Sequence, residues 1–494
     1  MSHGIVVPPN ENQQKPKGKK TFWEKFKFII THITVEPIVF LYTVSMLMNL
    51  IVTQNLSLEK ACRVNLNLTK SICDAMVLRN KSGYLPYQEV EVQQVVVKWA
   101  AYKAFLVGSI PVIGIIFLGS WSDRHRRRKP IILIAMFGDL IANIGLFVCS
   151  YYLLEISIEY SWAIDTIPVA LCGAQCSLHL GVFSYVGGLC SEEDRTLRIA
   201  SLTITHILAL PTGMFMSGMV LHSIGFLGAY SVIISFLTIS IVYGIFMIEE
   251  KKFKEEETTK KGFLKDLFAV EYVKNTFKIC FQKRDDNRRT RIIALMILST
   301  MIQGPMDGER PLQYMYVRLK CGWNEVDFSI FNAFHFCVQI SGNLFALLFF
   351  SKYLKWDDAI LGIIAAISKA SACLVYAFAP SGTFFYIGAL FEIFFGAVFI
   401  AMRAIMAKVV PPHELGQSNS IFGITEGLMP FIFGPVYSNL YLLTLAVFPG
   451  SFYLLSSGIN VITLHLFLYL YKSDKKKAKL LLEKQKVSNE VNIS

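Results

Sequence analysis

Hydrophobic residues along this chain come in long blocks rather than at helical or strand spacing. Runs close to the ~20 residues that carry a helix across ~30 Å of hydrocarbon recur over most of the sequence. The clearest lie near 33–54, 100–120, 131–153, 160–190, 199–221 and 224–248. Six more follow near 292–313, 326–351, 358–379, 382–407, 417–442 and 446–471. The pattern predicts an all-α membrane protein of about twelve transmembrane helices. One long charged stretch, 249–290, interrupts the blocks and parts them into two six-helix halves, 33–248 and 291–471. Polar tails, 1–32 and 472–494, flank the whole, and both are expected in the cytoplasm. The first block is long and follows a polar tail, which predicts an uncleaved anchor rather than a signal peptide.

Composition agrees with this reading. Only 17% of the 494 residues are charged, against about a quarter in soluble domains, and mean hydropathy is +0.47. The formal charge of +12 is concentrated in the N-terminal tail, the 124–129 run, the 251–291 stretch and the 472–486 tail. The connections near 154–160, 222–226, 379–383 and 443–450 hold no Lys or Arg. Alternation of this kind is the positive-inside pattern and puts both tails in the cytoplasm. The cations are then topology determinants and anionic-lipid contacts, and no nucleic-acid partner is expected. The long polar loop 55–98 falls outside and holds three sequons, at Asn55, Asn67 and Asn80. Cys62, Cys73 and Cys321 are the cysteines expected outside, where two of them can pair in an oxidising compartment.

No phosphate-binding Gly-rich loop, zinc motif or clustered catalytic set is present, so neither an ATP-driven pump nor an enzyme is expected. No cofactor is implied, and the energy source is a gradient, most simply of protons. Ionisable residues at membrane depth are the functional candidates. Asp307, Glu309 and Arg310 crowd the outer part of the seventh span beside Pro305 and Pro311, and read equally as an outer gate or an interfacial ion cluster. Lys369 and Glu392 sit near mid-span and are candidates for one buried pair. Glu426, flanked by small residues, is a candidate proton or substrate group. Glu36 and Asp139 read equally as structural partners or functional sites. His179, His206 and His335 are possible proton carriers or packed histidines.

The connection Gly119-Ser-Trp-Ser-Asp123-Arg124-His125-Arg126-Arg127-Arg128-Lys129-Pro130 resembles the loop motif of the major facilitator superfamily at every fixed position but one, where Arg126 replaces a glycine. The resemblance implies the major facilitator fold, a substrate site between the halves, and a conformational latch formed by Gly119, Asp123, Arg124, Arg127 and Arg128. A narrower resemblance rests on Val35-Glu36-Pro37-Ile38-Val39-Phe40-Leu41, Arg195-Thr-Leu-Arg198 and Arg403-Ala-Ile-Met-Ala-Lys408-Val409-Val410. These patches look like the family of the proton-coupled folate transporter and the thymic stromal cotransporter. That resemblance implies a Cys73–Cys321 disulfide, an anion-binding role for Arg403, and a family histidine at His335. It also locates departures. Thr203, with His206 one turn on, stands where the folate transporter has a coupling glutamate, and Ile302, beside Gln303, stands where it has a coupling histidine.

The expected function is therefore secondary, proton-coupled transport of a small organic anion by alternating access. Arg403, Asp307 and His335 are the expected substrate contacts, with Glu426, His206 and His335 for protons. A transporter-like receptor or scaffold without net flux is the second reading. Plasma membrane and endolysosomal membrane both fit.

Overall fold

The computed structural model describes residues 33–125, 127–189, 192–250, 288–409, 423 and 425–491. The described residues form helices and connecting turns, with no strand among them. Helix α1 (Glu36–Lys60) begins with Pro37 in its first turn, where a missing amide costs nothing, and ends in a π turn, Ala61–Asn65. A short helix α2 (Lys70–Val77) fills the first loop. Then come α3 (Pro86–His125), α4 (Lys129–Tyr151), α5 (Ile158–Leu171), α6 (Ala174–Leu189) and α7 (Glu192–Met247). The second half holds α8 (Arg288–Cys321), α9 (Glu325–Phe345), α10 (Asp358–Phe378), α11 (Gly382–Phe391), α12 (Ala397–Val409), α13 (Met429–Thr444) and α14 (Ser451–Val491).

Eight helical segments among the described residues are long and apolar enough to cross a membrane by length and composition. One of them, Leu197–Met247, is 51 residues long. It runs through two expected spans, which meet at Gly225, whose φ of +67° breaks the helix. The fourth expected span is instead divided, because Gly173 takes φ +86° between α5 and α6. The first loop is shorter than the pattern of polar residues suggests. Helix α1 with its π turn reaches Asn65 and α3 starts at Pro86, so only residues 66–85 lie between them. Residues 86–98 are polar yet helical, since Val92, Val96 and Val97 recur on one buried face.

Call the end of the bundle that carries the 66–85 loop the loop end, and the end from which α1 starts the tail end. At the loop end a single apolar core includes Ile51 and Val92 from the first half with Leu312, Tyr441 and Phe452 from the second. Toward the tail end this core divides in two. One part, around Ile38, Met136 and Leu237, belongs to the first half, and the other, around Leu298, Ala365 and Ile405, to the second. The halves are thus packed together at the loop end and separately cored at the tail end. Glycines allow the close approach: a Cβ on Gly108 of α3 would lie 2.3 Å from the backbone nitrogen of Phe431.

Two sequence expectations fail in the loop region. The disulfide joins Cys62 and Cys73, with Cα atoms 5.9 Å apart, and Cys321 is a free thiol. The π turn and α2 hold these two cysteines at bridging distance, so the expected Cys73–Cys321 bridge does not form. The sequon at Asn55 lies on α1 rather than in the loop. Asn55 is buried there, where its amide donates to the Ile51 carbonyl and accepts from the Tyr314 hydroxyl at 2.7 Å. Asn67 and Asn80 are exposed.

Candidate functional site

Burying a charge in a bundle is costly unless it is paired, so the ionisable residues of the spans show how the bundle is tied. In the first half, Glu36 pairs with Arg198 at 2.7 Å, both buried, and also accepts from the Thr34 amide. This is the structural reading of the Glu-Pro patch. Asp139 on α4 accepts from the Tyr42 hydroxyl on α1 at 2.7 Å. Lys103 on α3 pairs with buried Asp165 on α5. Lys60 is fully buried and donates to the carbonyls of Leu153 and Ile156 in the turn between α4 and α5.

Beside these ties lies a set of groups between the two halves. His206 on α7 meets the Thr43 hydroxyl at 3.2 Å, and its ring centroid is 5.1 Å from that of His179 on α6. One turn before His179, Cys176 is exposed although it lies among the helices. Its thiol is in electrostatic reach of Asp307 and Glu426, both from the second half. Glu426 in turn feels Asp307 and the Arg403 guanidinium. Asp307 accepts from Gln303 at 3.2 Å and lies 3.5 Å from Arg310. Cys176 of the first half is thus set against Asp307 and Glu426 of the second, and Glu426 lies in reach of Arg403. An exposed guanidinium on α12 in reach of a carboxylate gives that gap groups to bind an anion and to exchange a proton, and the His179–His206 pair adds two imidazoles on the first-half helices that carry Cys176 and its neighbours.

The expected cluster at 307–310 divides. Asp307 and Glu309 are two residues apart on a helix, so they point about 200° apart. Glu309 turns away from the gap to Lys369 on α10, at 2.9 Å, and the same ammonium reaches Glu392, also at 2.9 Å. Glu392 further accepts from the Tyr376 hydroxyl at 3.0 Å and from Gln339 at 3.3 Å, and pairs with His335 at 3.1 Å. His335 stacks on Phe331 with rings 7° from parallel. The expected Lys369–Glu392 pair is therefore present, but within a larger network. His335 lies inside the second half, against Glu392, and not beside Arg403.

A second polar system closes the loop end, and its pattern is not visible in the sequence. Arg79 from the first loop pairs with Glu89 on α3 at 2.6 Å and donates to the carbonyl of Arg318 on α8. Arg318 donates to the Met76 carbonyl at 2.9 Å and to the Tyr314 hydroxyl at 3.3 Å, with Glu89 at 3.6 Å. Gln93 on α3 donates to the Met315 carbonyl at 3.0 Å and accepts from Tyr441 on α13 at 2.9 Å. Gln54 on α1 donates to the Pro311 carbonyl at 3.2 Å. The bonds of Arg79 and Arg318 to backbone carbonyls, and those of Gln93 and Gln54, cross from one half to the other. Burial moves two groups of this loop region: it raises the phenol of Tyr84, which donates to Glu89, and pushes the Cys321 thiol up to about 11.

At the tail end, the turn between α3 and α4 is held by Ser122. Its hydroxyl donates to the Arg127 carbonyl at 2.7 Å and accepts from Arg128 at 2.9 Å. Arg126 and the side chains of Asp123 and Arg124 lie outside the described residues.

Comparison with known proteins agrees with this geometry. The Major Facilitator Superfamily model matches residues 88–435. A Drosophila melanogaster protein named as a probable peptidoglycan muropeptide transporter is 20% identical over 87% of this chain and 84% of its own. A lysosomal proton-coupled steroid conjugate and bile acid symporter of Gallus gallus is 24% identical over 89% of this chain and 94% of its own. The human organic anion transporter TETRAN has a similar solved structure, with a TM-score of 0.57 at 14% identity, covering 89% of this chain and all but 1% of that one. A peptide transporter in complex with sulfate gives 0.59 at 11% identity, covering 89% and 95%. With the family match over most of its length, the chain is a multi-pass membrane transporter, not an enzyme, and belongs to the Major Facilitator Superfamily.

Proposed function

We propose that this transporter carries small organic anions in symport with protons, by alternating access around the gap between its halves. The observation that carries the reading is Arg403. Its guanidinium is exposed on α12 and faces Glu426 through space, so it is available to a carboxylate or sulfate. An arginine in an apolar setting holds such a group through paired, charge-assisted hydrogen bonds. Asp307 lines the same gap and contributes polarity on the α8 side. Glu426 and His206 are the proton carriers that face substrate, and His335 is a carrier set back from it. The relatives' names supply the substrate classes to try, namely steroid conjugates, bile acids and muropeptides.

In this reading the loop end faces the exterior or an organelle lumen, the tails face the cytosol, and the structure is the inward-facing state. Asn67 and Asn80 carry glycans on the sealed side. The 119–128 connection is the latch that holds the tail end together when the loop end opens. An acidic lumen or exterior then loads protons at the loop end.

The test is uptake of a labelled steroid sulfate, bile acid, muramyl dipeptide and folate by cells expressing the protein at verified surface or vesicle levels. It is run at about pH 5.5 and about pH 7.4, values that bracket the ordinary histidine range. Saturable uptake of one probe, greater in acid and lost in Arg403→Ala, is expected. Equal uptake at both pH values removes proton coupling, and full uptake by Arg403→Ala removes the anion site.

A further inference from the structure

One ionisable cluster lies apart from the gap, and the proposed function uses only its histidine. Glu309 on α8, His335 on α9, Lys369 on α10 and Glu392, which follows α11, meet inside the second half, away from the gap. Their side chains are only 3–13% exposed. The charges in the cluster do not balance. Two carboxylates share one ammonium, so the set is one negative charge in excess while the imidazole is neutral. It is neutral when one further proton is bound. A buried charge cluster in a membrane protein favours neutrality strongly.

The other titratable groups facing the cluster are Cys373 and Tyr376 on α10, Tyr437 on α13 and Tyr453 on α14. A thiol and phenols ordinarily ionise only above about pH 8, so in the acidic to neutral range they contribute hydrogen bonds rather than charge. Gln339 holds both His335 and Glu392, at 3.1 and 3.3 Å, and keeps the imidazole against the carboxylate.

We propose that Glu309, His335, Lys369 and Glu392 form a one-proton site, separate from the substrate gap, that sets how firmly α8 is held in the second half. This rests on the reading of the chain as proton-coupled. With the proton on His335, Glu392 has two cationic partners, and Lys369 is free to hold Glu309 on α8. Without it, Lys369 is the one cation between two carboxylates, and its hold on Glu309 weakens. Helix α8 carries Asp307 toward the gap on its opposite side. It also carries Tyr314, Met315 and Arg318 into the seal at the loop end. Proton occupancy is thereby transmitted along one helix to both the substrate site and the seal.

Two isosteric changes test this in the uptake assay with labelled steroid sulfate, bile acid and muramyl dipeptide. His335→Gln keeps a hydrogen-bond donor to Glu392 but takes no proton. Glu309→Gln removes the unbalanced charge without touching the histidine, so the cluster is neutral with the imidazole unprotonated. Both variants are expected to lower the ratio of uptake in acid to uptake near neutrality at least about twofold, with protein present in the membrane; the stimulation that remains belongs to Glu426 and His206. Where one variant fails to reach the membrane, the other decides. A purely structural cluster lowers uptake by the same factor at both pH values and leaves the ratio as in the unaltered protein, which overturns the proposal but not the proton-coupled reading. No acid stimulation in the unaltered protein overturns the proton-coupled reading, and this site with it.

Discussion

The seal at the loop end makes a quantitative prediction through Arg318. Changing Arg318→Met keeps most of the apolar stem and removes the guanidinium. The lost contacts are a 2.9 Å hydrogen bond to the Met76 carbonyl and a 3.3 Å bond to Tyr314. A through-space attraction to Glu89 is lost as well, at 3.6 Å, too long for a hydrogen bond. Hydrogen bonds to charged groups are worth about 1.5–3 kcal/mol each. Tyr314 lies on the same helix as Arg318, and Arg79 still pairs with Glu89. The part of the loss that bears on the sealed state is therefore about 2–4 kcal/mol. At 1.4 kcal/mol per factor of ten, the ratio of sealed to open molecules falls by roughly 30- to 700-fold. Spin labels at Glu91→Cys on α3 and Ser381→Cys before α11, both exposed, report this as a pulsed electron resonance distance. The background has its free cysteines changed to serine. Arg318→Met should move population to longer distances. An unaltered distance distribution in folded protein would refute the assignment of Arg318 to the seal.

Three further outcomes are expected. Gly108→Val places a Cβ 2.3 Å from the Phe431 backbone nitrogen, so it forces α3 and α13 apart; the expected thermal destabilisation is ~1–3 kcal/mol, and an unchanged unfolding temperature of purified protein would contradict it. Glu36→Gln strands buried Arg198 and should cost about 3–5 kcal/mol, more than the double change Glu36→Gln/Arg198→Met, which removes both charges; a double change as costly as the sum of the two single ones would show that the pair is not coupled. Mass spectrometry of unreduced protein should find Cys62 joined to Cys73 and Cys321 free to alkylate. The same spectra should find Asn67 and Asn80 glycosylated but Asn55 unmodified, and a glycan on Asn55 would be inconsistent with its burial.

Length and apolarity are local properties, and they alone predict the helical membrane fold. The solvent for a span is hydrocarbon, where every backbone amide must be bonded within its own segment. The 119–130 connection likewise marks the superfamily, because its charges and turn are contiguous in the chain. Pairings between distant segments are a different matter. That Lys369 sits between Glu309 and Glu392, or that Arg318 locks onto Glu89 and the Met76 carbonyl, depends on how five or six helices rotate about their axes. Hydropathy does not specify this, since a buried cation and a buried carboxylate look alike on any face. The polar residues of 86–98 mislead for the same reason: Gln93 is polar because it bonds across to Met315 and Tyr441 and Glu89 because it pairs with Arg79, not because the segment forms a loop. Cys62 was eleven residues from Cys73 all along, but only the π turn after Lys60 and the placement of α2 bring the two sulfurs together. The chain's composition thus determines which residues enter the membrane, and the packing of the two halves decides which charges meet there, because a charge in that medium is stable only where its partner is held.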